Sequence, residues 1–282
     1  MGASMRAVVY PGPGGSGNIE VVDRPVPSAG EGEVLVRVSR AGVNAADMIL
    51  LDTGLNLFTG QMSAPGPVVP VGEVVGVRED TGERVVAVCG SGGYAEWVAV
   101  PESAVWPVPD PVSDADALTL TASGLTAWFL LEAAPVAPDQ SVVVTGAAGA
   151  LGSVVVQLAV KVFEEARAAL ARFGRIVVYG AASHESPLLE PTSLAFGSHT
   201  LSGVWLPDYV EAGLAGPALD RLFELHGRGE LRTQPGPVFG LEQAHEAQGV
   251  LADRNTVGKV QIDVRAGDSA SVFGFDESTD RG

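Results

Sequence analysis

Residues 141–160 read SVVVTGAAGALGSVVVQLAV, and their reading decides the fold. A β-branched run stops at Gly146, and further glycines at Gly149 and Gly152 precede a resumed apolar stretch. From Gln140 to Val160 there is no charged residue, and that length would suffice for a membrane span. The glycines argue otherwise: a β-branched run that ends on glycines and restarts with helical spacing is strand, turn and helix. A strand over Ser141–Thr145 and a helix from Ala150 are therefore expected. Such a turn suits a phosphate group. A backbone without side chains approaches the anion closely, and the free N–H groups of a helix N-terminus face its charge. The spacing is G-x-x-G-x-x-G rather than G-x-G-x-x-G, so a glycine-rich turn of a generic α/β protein stays open as the alternative.

The two sides of this turn differ in texture. Upstream, short Val-rich segments separated by turn residues (Arg6–Tyr10, Ile19–Val26, Glu33–Val38, Gly72–Val77, Glu83–Val88, Tyr94–Val100) predict a small barrel or sandwich. One short helix, Ala45–Leu51, interrupts them. Gly72–Val88 is compact and predicts a tight hairpin. From Ser113, a helix cap followed by Asp114 and Asp116, helices alternate with strands as in a parallel α/β layer. The expected order is a helix to about Ala134, the glycine turn, strands Arg175–Gly180 and Thr200–Val204, a helix Pro217–His226, short strands around Leu231 and Val238, a helix Leu241–Arg254 and a last strand Lys259–Val264. Residues 266–282 are acidic and aperiodic, and predict a disordered tail.

Composition narrows the function classes. The 282 residues carry a formal net charge of −17, which would repel nucleic acid and anionic membranes, so neither is an expected partner. Hydrophobic residues at 46% and charged residues at 18% describe a globular chain. One cysteine, Cys89, excludes an intramolecular disulfide and multi-cysteine zinc sites. MGASMRAVVY has no apolar core of a secretory signal, and a cytoplasmic location is expected.

The glycine turn with Gln157 behind it resembles the zinc-free quinone oxidoreductases of the medium-chain dehydrogenase/reductase superfamily. MRAVVY, GEVLVRVSRAGVNAAD, GGYAEWVAVP, SGLTAW, GRIVVYG and TVGKVQIDV carry the same resemblance in family order between Met5 and Val264. The resemblance implies an α/β plus β-barrel fold, a GroES-like barrel domain with an inserted, shortened Rossmann-type parallel sheet. Residues 1–112 and 236–265 would form the barrel domain and residues 113–235 the dinucleotide-binding domain. It implies hydride transfer from NADPH, NAD not being excluded, to a quinone or activated alkene of apolar or aromatic character, and a homodimer. Asn44 and Thr126 would lie at the nicotinamide and ribose, Gly146, Gly149, Ala150, Leu151 and Gly152 at the pyrophosphate, and Gly180 at a strand end facing the cofactor. For Asn44, capping of the short helix is the competing role. For Thr126 it is a hydroxyl bonded to its own helix. Where zinc-binding relatives carry Cys and His, this chain has Gly42-Val43-Asn44 and Gly72-Glu73. His184, His199, His226 and His245 are scattered, so no metal is expected.

Two departures from the family pattern matter. A tyrosine usually follows the short helix; here Gly54-Leu55-Asn56 stands there, and an amide is no general acid, so no catalytic residue is assigned. The segments carrying strands 2 to 4 of the dinucleotide domain are absent, about two βα units of about 30 residues each. Leu151, Val155, Leu158, Val162, Ala166, Ala169 and Phe173 keep one apolar stripe. They predict one helix of up to about 24 residues, or a break near Lys161. Strand 1 would then lie beside strand 5. The alternative to an enzyme is a non-catalytic relative that binds dinucleotide weakly.

Overall fold

The computed structural model describes residues 3–10, 12, 19–63, 66–70, 72–134, 142, 144, 147–162, 172–179, 191–195, 198–253 and 256–265. The first half is strand-rich: β1 Ser4–Val9, β2 Glu20–Pro25, β3 Glu33–Gly42, α1 Ala45–Thr53, β4 Leu55–Asn56, β5 Gln61–Met62, β6 Gly72–Arg78, β7 Arg84–Cys89, β8 Trp97–Pro101 and β9 Val105–Pro107. The second half follows with α2 Asp114–Leu118, α3 Leu125–Ala133, α4 Ala150–Val162, β10 Arg175–Val178, β11 Thr200–Gly203, α5 Leu206–Glu211, α6 Ala215–Gly227, β12 Pro235–Gly240, α7 Ala244–Ala252 and β13 Lys259–Asp263.

A seven-stranded sheet runs β12-β13-β3-β6-β7-β9, with β8 also paired to β3; only β12 and β13 are parallel. β6 and β7 form the expected hairpin, closed by Arg78 N–H on Glu83 O at 2.9 Å. The C-terminal strands join the N-terminal ones as the barrel expectation required. Among the described residues, however, the sheet does not close, because its path ends at β9 and β12. The β1–β2 hairpin docks instead through single bridges, Ala7 to Ala95 and Tyr10 to Val68.

β3 is the long central strand, and its alternation explains both of its sides. Val34, Val36 and Val38 are buried, then the register against β6 shifts between Val38 and Arg40. The shift turns Ser39 inward, where its hydroxyl bonds Val75 O and Asp114 Oδ2, each at 2.9 Å. One bulge thereby ties the sheet to the first turn of α2. The helical run from Asp114 is interrupted by a π-helical segment, Thr119–Gly124, before α3. Its hydroxyls bond back along the helix, Thr121 to Ala117 O at 2.7 Å among them.

Two buried clusters sit on opposite faces of the sheet. One joins Val36, Val38, Val74, Val98 and Ile262 to α7. The other gathers α2, α3, α4 and α6, and takes Val75 and Val86 from the sheet's other face. Each fully buried Val, Leu or Phe stabilises the fold by about 1.5–3 kcal/mol. Beside this core, β10 and β11 form a parallel pair, registered from Arg175–Thr200 to Val178–Gly203.

Several expectations are corrected. No strand forms around Leu231; its N–H closes the end of α6 on Leu225 O at 3.1 Å, and the side chain is buried. The α6 end needs both the turn at Gly229 and this apolar contact, so Leu231 serves the helix rather than a sheet. β4, β5 and β9 were not anticipated. The strand over Ser141–Thr145 and the helical stripe beyond Val162 fall largely outside the described residues. α4 is described to Val162, and a turn at Arg172–Phe173, where Phe173 has φ of 66°, precedes β10. Among the described residues no helix is long and apolar enough to cross a membrane.

Candidate functional site

α1 is preceded by its N-cap Asn44, whose backbone is extended (φ −128°, ψ 155°) and whose side chain makes no bond to the helix end. The end is closed from the other direction, by Asp47 Oδ2 accepting the Asn44 backbone N–H at 2.9 Å. This leaves the Asn44 amide to reach the sheet. Its Nδ2 donates to Glu73 Oε2 at 2.9 Å and to Gly42 O at 3.4 Å, while its Oδ1 accepts from Lys259 Nζ at 2.5 Å. Lys259 and Glu73 are themselves an ion pair at 2.6 Å, with side chains 3% and 0% exposed. Asn44 therefore occupies the N-cap position, but its side chain clamps a buried ion pair.

The topology explains why the pair exists. Glu73 stands on β6 and Lys259 on β13, the two strands that flank β3. Gly42, the last residue of β3, lies between them. A Cβ there would stand 2.0 Å from Glu73 Oε1 and 2.7 Å from Lys259 Cε. The ion pair thus fills the volume that any other residue at position 42 would claim.

Around it the environment is dry. Asp47 and Tyr94 are fully buried, and Tyr94 OH donates to Asp47 Oδ2 at 3.0 Å. Burial pushes the Asp47 carboxyl up to about 7. The Asn44 N–H and the Tyr94 hydroxyl oppose that rise, Glu73 adds to it and the Lys259 ammonium lowers it. Burial likewise raises the Cys89 thiol and the Tyr94 phenol. Cys89 Sγ donates to Gly72 O at 3.1 Å, which fixes the start of β6.

The glycine turn reaches this cluster from the other side. Gly149 makes a parallel bridge with Gly258, the residue before Lys259. α4 starts immediately, with Ser153 N–H on Gly149 O at 2.9 Å. The N–H groups of Ala150, Leu151 and Gly152 precede the first intrahelical donor, so they lie at the helix end without intrahelical acceptors. Gln157, one turn further, holds α4 against the segment leading to β12: its amide accepts Arg232 N–H and donates to Arg232 O, both at 2.8 Å.

Of the expected site residues, Gly149, Ala150, Leu151 and Gly152 stand together at the α4 N-terminus, and Asn44 joins them through Lys259 and Gly258. Thr126 lies on α3 and donates its hydroxyl to Ala122 O at 2.7 Å, the local bond that competed with a cofactor role. Gly146 and Gly180 lie outside the described residues. Sequence reasoning missed Lys259, Asp47 and Tyr94, and took Glu73 only as a replaced metal position. The available signal was Lys259 itself, one of two lysines in the chain, at the head of the strand KVQID.

The donors do not suit a metal. Gly42 cannot accept a side chain, and an ammonium already fills the space between Glu73 and Asn44. They do suit a dinucleotide, through the N–H groups that open α4 and have no acceptor within the helix.

Residues 30–110 match the alcohol dehydrogenase GroES-like domain, and residues 134–261 match a domain described as zinc-binding dehydrogenase. The chain is 32% identical to the quinone oxidoreductase of Thermus thermophilus, whose structure is known also in complex with NADPH. That match covers 92% of this chain and 100% of the other, with a TM-score of 0.78. A chloroplastic quinone-oxidoreductase of Triphysaria versicolor is 34% identical over 174 residues, 56% of this chain and 53% of the relative. The chain thus spans about half the length of that curated relative. Prostaglandin reductase-3 of Mus musculus is 26% identical over 324 residues, 86% of this chain and 84% of the relative. That alignment is longer than the 282 residues present here, so it spans stretches that this chain lacks.

Proposed function

Because the chain belongs to the quinone oxidoreductase-like members of the medium-chain dehydrogenase/reductase superfamily, we propose that it transfers a hydride from NADPH to a quinone or an activated alkene, without zinc. The observation that carries this reading is the Gly149–Gly258 bridge, which sets the glycine turn one residue from Lys259 and its partners. Bound NADPH supplies the hydride. The N–H groups of Ala150, Leu151 and Gly152 would hold its pyrophosphate, with the α4 dipole behind them. Lys259, pinned by Glu73 and Asn44, follows Gly258 and so holds in place the strand end that the turn bridges. Positioning supplies most of what hydride transfer needs, so a separate acid–base pair is not required of this chain.

Zinc independence rests on the Lys259 ammonium, which occupies the position between Glu73 and Asn44, and on Gly42, which no cysteine can replace without displacing Glu73. We assign residues 1–112 with 236–265 to the catalytic domain and 113–235 to the dinucleotide domain; the two buried clusters on either face of the sheet support the division. A cytoplasmic homodimer belongs to the same proposal. It is supported by the buried free thiol of Cys89 and by the edge of β11, unpaired among the described residues.

A second reading, a non-catalytic relative with weak dinucleotide affinity, draws on length. The stretch between Val162 and Arg175 is shorter than one βα unit of about 30 residues. Fluorescence titration with NADPH and NADH separates the two readings, followed by NADPH oxidation with 1,4-benzoquinone in the presence and absence of a chelator. Micromolar NADPH binding and chelator-insensitive turnover are expected. Binding no tighter than millimolar would leave the non-catalytic reading, and loss of turnover on chelation would overturn zinc independence.

A further inference from the structure

Trp205 stands where the two sides of the molecule meet. It lies two residues beyond β11, at the carboxyl end of the parallel pair β10–β11, the end at which α/β sheets of this kind bind their ligands. Its neighbours Val204 and Leu206 are buried in the helical cluster and fix the backbone, while Trp205 itself is 40% exposed. The indole N–H crosses to the strand-rich half and donates to Leu57 O at 2.5 Å, in the turn between β4 and β5.

That turn is built to receive it. Asn56 Oδ1 accepts the Phe58 N–H at 2.8 Å and the Thr59 N–H at 3.2 Å, and Asn56 Nδ2 donates to Gly90 O at 2.7 Å. Gly60 N–H closes on Asn56 O at 2.8 Å. Gly60 has φ of +67°, and a Cβ there would lie 3.1 Å from the indole ring, so backbone and ring are already in close approach. Asn56 is thus a scaffold for the turn, and the turn is a seat for the indole.

We propose that Trp205 is a specificity-determining residue, which latches the β4–β5 turn against the carboxyl end of the β10–β11 pair and offers its exposed ring to a flat, apolar acceptor. The inference rests on the hydride-transfer reading and deepens it, naming an aromatic, quinone-like acceptor over an aliphatic enone. An offset-stacked ring pair is worth up to about tenfold in affinity, which sets the size of the effect.

Two variants separate the latch from the ring face. Trp205→Phe keeps an aromatic face and removes the N–H donor; Trp205→Ala removes both. Hydrogen exchange of the Phe58–Gly60 amides reads the latch, and equilibrium dialysis of menadione without cofactor reads the face. KM for 1,4-benzoquinone against ethyl vinyl ketone reads selectivity. Both variants are expected to speed exchange at Phe58–Gly60. Trp205→Ala should weaken menadione binding and raise the benzoquinone KM about tenfold, with kcat and the enone KM little changed. Trp205→Phe should retain most of the quinone preference. Unchanged exchange, equal losses with both acceptors, or a wild-type chain that binds no menadione would each overturn the proposal. A wild-type chain that binds menadione but never oxidises NADPH would instead sink the hydride-transfer reading, and the dialysis and exchange data would still decide the role of Trp205.

Discussion

Lys259 shows how a single side chain can organise a site that its own strand does not announce. Its ammonium is 3% exposed and its partner Glu73 is fully buried, so each charge is tolerable only because the other is present. Lys259→Met should therefore destabilise the chain by about 3–5 kcal/mol, because it strands the Glu73 carboxylate in a dry interior. Adding Glu73→Gln should recover most of that loss, and urea unfolding of the two variants measures both effects. A single variant as stable as wild type would mean the pair is not buried as described. Asp47 gives a second handle, through pH. Its carboxyl titrates near 7 in the folded chain and about 4 when unfolded. Between those values the folded chain holds the proton more tightly. The Asp47 contribution to stability is therefore complete at low pH, falls as pH rises through that window, and is constant above about 7. Asp47→Asn should gain on wild type as pH is raised from about 5 to about 8. A difference in unfolding free energy that stays constant across that range would contradict the assignment. Neither residue was legible as a site residue from the sequence. Asp47 is partnered by Asn44 and Tyr94, which are far apart in sequence, and only the sheet order brings Glu73, Gly42 and Lys259 into one row.

Elements were more legible than residues, wherever one local rule governed them. The Val alternation of β3 and the β6–β7 hairpin follow directly from apolar spacing and turn residues. Reading failed where tertiary packing used a residue differently. Leu231 stands between turn residues as a short strand would, yet it seals the end of α6, and β4 and β5 are two-residue strands too short to show alternation. The π-helical segment Thr119–Gly124 was also invisible, since no residue pattern separates a π-helical turn from the α-helix on either side of it. Gln157, by contrast, was noticed by its position after the glycine turn, and the structure gives it a physical task. Its amide pairs with both backbone groups of Arg232 as a neighbouring strand would. Gln157→Leu removes these two hydrogen bonds and a third, to Ser153 O at 3.1 Å, in a half-exposed setting and should cost about 1–2 kcal/mol. If the glycine turn holds a dinucleotide, the same substitution should weaken NADPH binding by loosening α4. Unchanged stability in urea would show that the pairing contributes nothing.

At the scale of the whole molecule, the net charge of −17 says little about chemistry and something definite about stability. Like charges on a compact surface repel, and salt screens them over a Debye length that shortens from about 30 Å to about 8 Å between 10 mM and physiological ionic strength. The melting temperature should accordingly rise as sodium chloride is increased across that range; a fall would mean that the surface ion pairs, such as Arg78 with Asp80 and Glu102, outweigh the repulsion. Overall architecture was legible because the glycine turn and the Val-rich strands each point to one class, and the family resemblance joined them. Closure of the barrel was not legible, since it depends on how β1 docks, and β1 reaches its neighbours by single bridges rather than a ladder.

Cys89 carries a consequence for anyone who wishes to watch this protein move. It is the only thiol in the sequence, it ends β7 opposite Gly72, and its sulfur is bonded to the carbonyl of that partner. A thiol-reactive dye cannot reach it while the cluster that it shares with Tyr10, Leu51 and Tyr94 stays packed, and burial keeps it from ionising. Labelling therefore waits for that packing, next to the row that bears Glu73, to open, and each labelled molecule records one such opening. The chain has a built-in stopwatch for the breathing of its own site, and no engineered cysteine is needed to start it.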